Sequence, residues 1–354
     1  MKERLIYISP DATSFTRKDI TFLSNYYDVT TMQLPWGEKK MIPLNLIKQF
    51  FFLMGKIRGS RAAVVMFGGY WSFLPALLGK IFRTPVFIIP GGADCVSFPE
   101  YQYGSLRKPV LRKFIHWSYS LAERLLPVDE SLVKSDNRYD PAVKITSQGI
   151  LNFFPGLKTP FTIINNGFDH EYWKPEGSKP APYVFTTVAK VSDHSRFMVK
   201  GIDMVIKAAN GLPEHLFNVI GMDLKFAGTL KDLPGNIVIY EFLTSDQIKG
   251  ILNTSRFYLQ LSVSEGFPNS LCEAMLCECI PICSSAGGMP FIVKDTGLII
   301  HHKDDSEFVD RIRELAYRGP DSLDDLGKKA RHNIEHRFHI KRREDAFINL
   351  IGQS

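Results

Sequence analysis

The chain has 354 residues, 45% hydrophobic and 23% charged, enough for two full cores and too apolar for a disordered protein. Its formal net charge of +6 is a mild excess with no DNA- or RNA-binding motif beside it, so no nucleic-acid partner is expected. Four of the five cysteines crowd into Cys272–Cys283 without the close paired spacing of a zinc site; they read as reduced thiols, and no metal is expected.

Met1-Lys2-Glu3-Arg4 leads into Leu5–Ile8, a strand-like run too short for an export signal. Residues 39–61 then carry Lys39, Lys40, Lys48, Lys56, Arg58 and Arg61 around the apolar run Phe50–Met54. A second basic patch sets Arg107, Lys108, Arg112 and Lys113 beside Phe114, Ile115 and Trp117. Both suit an anionic membrane surface. The alternative is that Phe50–Met54 is the buried face of a helix with its lysines outside. No stretch is long and apolar enough to span a bilayer, so the expected location is cytoplasmic, with the inner face of the cell membrane as a candidate surface.

Strand-like runs follow at Ala63–Phe67, Pro85–Ile89, Leu125–Val128 and Phe161–Ile164, with helical patterns between them. Asn165-Asn166-Gly167 and the polar, Pro-rich Lys174–Pro180 interrupt the alternation. It resumes with Tyr183–Val188, His215–Ile220, Ile237–Tyr240, Phe257–Leu261 and Ile280–Cys283, and closes on an amphipathic helix at Lys341–Ile351. Continuous apolar runs separated by helices predict parallel sheets covered on both faces. The expected fold class is α/β: two doubly wound Rossmann-like domains, residues 1–167 and 168–339, facing a central cleft. A terminal helix over about 340–354 could pack back on the first domain.

The stretch Ser264-Glu265-Gly266-Phe267-Pro268-Asn269-Ser270-Leu271-Cys272-Glu273-Ala274-Met275 sits after the strand Phe257–Leu261. Ser270 and Glu273 have capping-box spacing, and one reading of the pair is purely local: Ser270 as N-cap with Glu273 reaching back to it. That does not account for Glu265, in the loop before it. Strand, loop and helix in this order bring Glu265 and free backbone N–H groups to the C-terminal edge of the sheet. Carboxylates for hydroxyls and amides for phosphates are what a nucleotide sugar needs.

This stretch resembles the E-x7-E motif of glycosyltransferase family 4. Four other segments are similar to that family in the expected order: Leu121–Glu130, Ile164–Asp169, Lys200-Gly201-Ile202-Asp203 and Pro281–Pro290. The resemblance implies a GT-B fold and a retaining, metal-independent transferase with no cofactor beyond its nucleoside-diphosphate-sugar donor. The implied acceptor is a glycan or lipid-linked intermediate of a cell-envelope polysaccharide. It gives Glu273 the donor ribose, Glu265 the hydroxyls of the transferred sugar, and the amides near Ser270 and Leu271 the diphosphate. Lys200 would neutralise the departing diphosphate. Phe242-Leu243 would lie near the base, and Gly221, Gly266, Phe267 and Asn269 complete the implied donor set.

The sequence departs from the family in places. Val188-Ala189-Lys190-Val191 stands where V-G-R-L is usual, so Lys190 takes the arginine's place, with Arg196 in the longer loop Ser192–Val199 as a second candidate. Gly91-Gly92-Ala93-Asp94 lacks the first-domain histidine, leaving Asp94 to support the acceptor or to cap the next segment. Asp11–Thr16 replaces the early Gly-Gly loop. Asp304-Asp305 and Asp324-Asp325 are expected to face solvent. These departures keep a second reading open, an inactive nucleotide-sugar-binding or scaffolding subunit. An epimerase would want a set of acid/base groups that His116, His194 and His215 do not supply.

Overall fold

The computed structural model describes residues 2–11, 14–177, 179, 183–304 and 306–353. Of the segments singled out above, Met1, Ala12, Thr13, Ser178, Pro180, Asp305 and Ser354 lie outside the described residues.

Strands β1 (Arg4–Ile8), β2 (Asp28–Met32), β3 (Ala62–Met66), β4 (Val86–Ile89) and β5 (Arg124–Leu125) form one parallel sheet, in the order β2-β1-β3-β4-β5. A short antiparallel pair, β6 (Ser135–Asp136) and β7 (Ser147–Gln148), follows. The second parallel sheet comprises β8 (Val184–Val191), β9 (Leu216–Met222), β10 (Ile237–Tyr240), β11 (Phe257–Gln260), β12 (Ile280–Ser284) and β13 (Leu298–Ile300), ordered β10-β9-β8-β11-β12-β13. Every residue of β3, β4, β11 and β12 is buried. Helices cover both faces of such strands, and this makes their sequences read as unbroken apolar runs.

Three elements differ from the sequence expectation, all at sheet margins. The strand β2 reads Asp-Val-Thr-Thr-Met and is half exposed, so it carries no apolar run. The strand β13 is three residues long at the opposite sheet's edge. Phe161–Ile164 forms a single bridge, Phe161 to Leu125, rather than a strand.

The helix Ile42–Met54 is inside out. Its buried residues are Asn45, Gln49 and Leu53. Asn45 Nδ2 donates to Pro35 O at 2.9 Å, and Gln49 Nε2 to Trp71 O at 2.9 Å, so backbone carbonyls take the amide donors, while Asn45 Oδ1 and Gln49 Oε1 are buried without a partner among the described residues. Leu44, Ile47, Phe51 and Met54 face outward, Phe51 at 70% exposure. The run Phe50–Met54 is divided: Leu53 is buried and Phe52 packs against the core, while Phe50, Phe51 and Met54 face outward.

The final helix, Ile340–Gly352, buries Arg343, Phe347 and Ile351, one turn apart each. It lies on the helix Ser14–Ser24, where Phe22 and Phe347 rings are 5.9 Å apart. Arg343 grips Asp19 with Nε at 2.7 Å and Nη2 at 2.8 Å, and its Nη1 donates to Ile164 O at 3.0 Å. Tyr7 Oη adds a donor to Asp19 at 3.0 Å. Phe168 and His339 form a parallel bridge where the chain leaves one half of the molecule and later returns to it.

Candidate active site

The strand β11 ends at Gln260, and the chain loops through Glu265 into the helix Asn269–Leu276. Lys200, just past the helix His194–Val199, places Nζ 2.5 Å from Glu265 Oε1. Ser262 Oγ donates to the same oxygen at 3.0 Å and Gln260 Nε2 at 3.2 Å. Burial is the largest single influence and pulls the Lys200 ammonium down, but the Glu265 charge and hydrogen bond together with Tyr103 outweigh it and hold the group above its ordinary value. All three donors converge on Oε1. Among the described residues none reaches Glu265 Oε2, so that oxygen is open to a ligand hydroxyl.

The capping box that the spacing of Ser270 and Glu273 allows does not form. Pro268 is the N-cap, with φ −71°, and it starts the helix at Asn269. Ser270 therefore lies inside the first turn, its Oγ 3.5 Å from Gln260 Oε1. Glu273 is released from capping. Its side chain is 15% exposed, and Lys18 of the first half comes within 3.9 Å. Burial raises the Glu273 carboxyl above its ordinary value, and Lys18 offsets this only in part. Leu271 is fully buried, so only its backbone can meet a ligand. The Phe267 side chain is likewise committed to packing, 5.0 Å from the Phe338 ring and 6.3 Å from Phe168. Asn269 Oδ1 accepts from Asn166 Nδ2 at 2.8 Å, which ties the helix start to the Asn165-Asn166-Gly167 junction.

Glycines bring three loops together here. A Cβ on Gly266 would stand 2.8 Å from Gly91 O, and one on Gly287, at φ +60°, would stand 1.7 Å from Glu265 O. The same substitution at Gly288 would meet Gly266 O at 2.3 Å. Backbones approach this closely only without side chains.

Asp94 holds the first-half loop in place. Its Oδ1 accepts from Gly91 N at 3.1 Å and Gly92 N at 3.0 Å; its Oδ2 accepts from Gly68 N at 2.8 Å and Tyr119 Oη at 2.7 Å. The side chain is spent on the scaffold around a cavity of about 160 Å³, and it caps this loop. Sequence reading did not find Tyr103. Its ring stands over the Arg196 guanidinium at 5.5 Å, and its hydroxyl feels both Lys200 and Glu265. A tight hairpin fixes it: Phe98 N donates to Tyr103 O at 2.9 Å, and Tyr103 N to Phe98 O at 3.0 Å. No sequence spacing links Tyr103 to Glu265; only the closure of the two halves does.

The other expected residues are dispersed. Lys190 is exposed on β8, beside a register shift between Val188 and Val191. Gly221, at φ +97°, serves that irregularity, since a Cβ there would stand 2.7 Å from Ala189 O. Ser192–Val199 is not a long loop: Asp193 caps the helix His194–Val199 by accepting from Arg196 N at 2.9 Å. Phe242 is 88% exposed after β10, and Leu243 is half-buried. Lys303 clamps the halves, 3.0 Å from both Asp140 and Asp203. Asn137 Nδ2 adds a donor to Val263 O at 2.7 Å. Among the described residues no group of three His, Cys, Asp or Glu side chains could hold a metal ion.

Solved structures share this architecture. Sucrose-phosphate synthase from Thermosynechococcus elongatus superposes with a TM-score of 0.77 at 13% identity, over 99% of each chain. HepE from Anabaena, solved with UDP-glucose, gives 0.73 at 14% identity over 99% of this chain and 100% of its own. The fold is GT-B. TarM from S. aureus gives 0.67 at 17% identity, over 87% of this chain and 58% of its own. Residues 185–333 match the model of the family Glycosyl transferases group 1. The stretch similar to that family is the one that carries Lys200, Glu265 and Glu273. No curated protein sequence matches the chain.

Proposed function

We propose that this protein is a retaining, metal-independent glycosyltransferase, moving a sugar from a nucleoside-diphosphate sugar to a glycan or lipid-linked acceptor in cell-surface polysaccharide synthesis. Residues 1–167, with the returning helix 340–354, would take the acceptor, and residues 168–339 the donor. The observation that carries the reading is Glu265, whose Oε1 is saturated by Lys200, Ser262 and Gln260 while Oε2 stays open. A carboxylate held this way can take a sugar hydroxyl without turning. Lys200, already next to it, can then meet the negative charge that grows on the departing diphosphate. The Asn269–Leu276 helix offers first-turn amides and the positive end of its dipole to the same phosphates. Glu273, freed from capping, would hold the ribose. Lys190, Arg196, Phe242 and Leu243 keep the donor-side roles that family resemblance gives them. Asp94 would act on the acceptor only through the Gly91-Gly92 loop it supports.

The membrane surface belongs to the same proposal. Leu44, Ile47, Phe51 and Met54 present an apolar ridge with Lys39, Lys40 and Lys48 around it. Trp117 and Val110 are also exposed, on the helix Pro109–Leu121 beside Lys113; the helix Tyr70–Phe82 packs against both this helix and Ile42–Met54. This is the composition of a surface that rests on anionic lipid and meets a lipid-linked acceptor there. No helix among the described residues is long and apolar enough to cross a membrane.

Thermal unfolding with a panel of nucleoside diphosphates and their sugars tests the donor assignment. UDP-glucose comes first, because a GT-B relative was solved with it. A ligand at about 100 times its dissociation constant adds about 2.7 kcal/mol of stability. A rise with one nucleotide series, weakened by Glu273→Ala, is the expected result. Stability unmoved by every member of the panel overturns the reading.

A further inference from the structure

A groove of about 580 Å³ lies outside the site described above, between the C-terminal half of the helix Pro320–Arg337 and the segment 294–296. Its lining is strongly one-signed. Lys294, Lys328, Lys329, His332, His336 and Arg337 contribute, against the single carboxylate of Asp295. Lys329 is held by Asp325 at 2.7 Å. Among the described residues no carboxylate comes within salt-bridge reach of Lys294 or Lys328. Elsewhere on the terminal helices lysines find acids, as Lys341 does with Asp345 at 3.0 Å.

The groove is built, not only charged. Arg337 is fixed between the Phe291 ring at 4.4 Å and the Phe338 ring at 4.6 Å, and its Nη2 donates to Phe291 O at 2.9 Å. Asn333 Nδ2 donates to Ile292 O at 2.7 Å, pinning the floor. Lys294 sits at φ 52° and ψ −124°, a backbone region ordinarily left to glycine. Strain of this kind is kept where a side chain must point somewhere particular, and this side chain lines the groove. His332 and His336 stack with centroids 6.1 Å apart on the same helix face, adding two N–H donors. The volume suits a small molecule rather than a lone ion.

We infer that this groove is a second binding site, separate from the donor cleft, for a small solute bearing one or more phosphate groups. Lys294 and Lys328 supply the charge, and the two imidazoles supply directed hydrogen bonds, while Arg337 is spent on holding the wall through Phe291 O and Asn333 Oδ1. Inorganic pyrophosphate is the probe, followed by NMR of the His332 and His336 ring signals, assigned with His332→Gln and His336→Gln. Those signals report on the groove even if pyrophosphate also enters the donor cleft. The expected result is a saturable shift of both signals, weakened about tenfold or more in Lys294→Glu/Lys328→Glu. The double variant changes two exposed side chains, and an unchanged melting temperature confirms that its fold is intact. Ring signals that do not move with pyrophosphate, or a titration the charge reversal leaves unaltered, overturn the assignment.

Discussion

Lys200 Nζ and Glu265 Oε1 stand 2.5 Å apart, and the pair sits where the second sheet opens toward the first half of the molecule. Glu265→Gln keeps the shape and removes the charge. Turnover with the nucleotide sugar that the unfolding panel selects should fall by about 10²–10³-fold, the usual cost of removing one preorganised transition-state contact. Circular dichroism should show an unchanged fold. A variant that turns over at the wild-type rate would remove Glu265 from the site, and a wild type that binds donor yet transfers no sugar would favour the scaffolding subunit.

Glu273 should make the protein's stability depend on pH in a particular direction. Burial raises its folded-state value above the unfolded one. The native state then holds the proton more tightly, so its contribution is fully present below the unfolded value and is lost as pH rises through the folded one. Glu273→Gln escapes that loss. The variant should therefore melt above wild type near neutral pH, with the gap closing as pH falls below the ordinary carboxylate range. A gap that is constant with pH would contradict the assignment. The same carboxylate is predicted to be needed for donor binding, so the more stable variant should bind donor less well.

Asp19 and Arg343 are 1% and 3% exposed and form a two-pronged pair. Asp19→Leu would strand a buried guanidinium and should cost about 3–5 kcal/mol in urea unfolding. Replacing both by leucine should restore much of that, because no charge is then left unpaired. A small effect of the single change would mean that the terminal helix is not anchored through this contact.

Ile47 and Phe51 face solvent on the inside-out helix. Ile47→Asp/Phe51→Asp should abolish co-sedimentation with phosphatidylglycerol-containing vesicles while leaving thermal stability nearly unchanged, since surface substitutions usually stay within about 0.5 kcal/mol. Wild-type protein that ignores such vesicles at low salt would end the membrane proposal.

Much of this fold was legible because buried parallel strands need apolar residues on both faces. The strands β3, β4, β11 and β12 announce themselves for that reason, and the half-exposed β2 and the short β13 do not. The order strand, glycine-bearing loop, helix places Glu265 and Glu273 at one sheet edge, whereas Lys200 is picked out by family resemblance alone. The capping-box reading fails although Ser270 and Glu273 have the right spacing, because Pro268 sets the helix start two residues earlier. Tyr103 and Lys18 carry no local pattern; they matter only through residues distant in sequence. Asn45 and Gln49 mislead in the opposite sense, being polar and buried, because Pro35 and Trp71 carbonyls wait for them.

The chain crosses between its two halves twice, once after Phe168 and once before Ile340, and the Phe168–His339 bridge binds the two crossings side by side. A single connector would let the halves swivel freely. A doubled one behaves as a strap hinge: the halves could rock about an axis through the paired crossings but would resist twisting about the line that joins them. Each closure would then bring Gly91, Glu265 and Tyr103 back into the same register without a fresh search, so separation of the halves need not scramble the site between one ligand and the next.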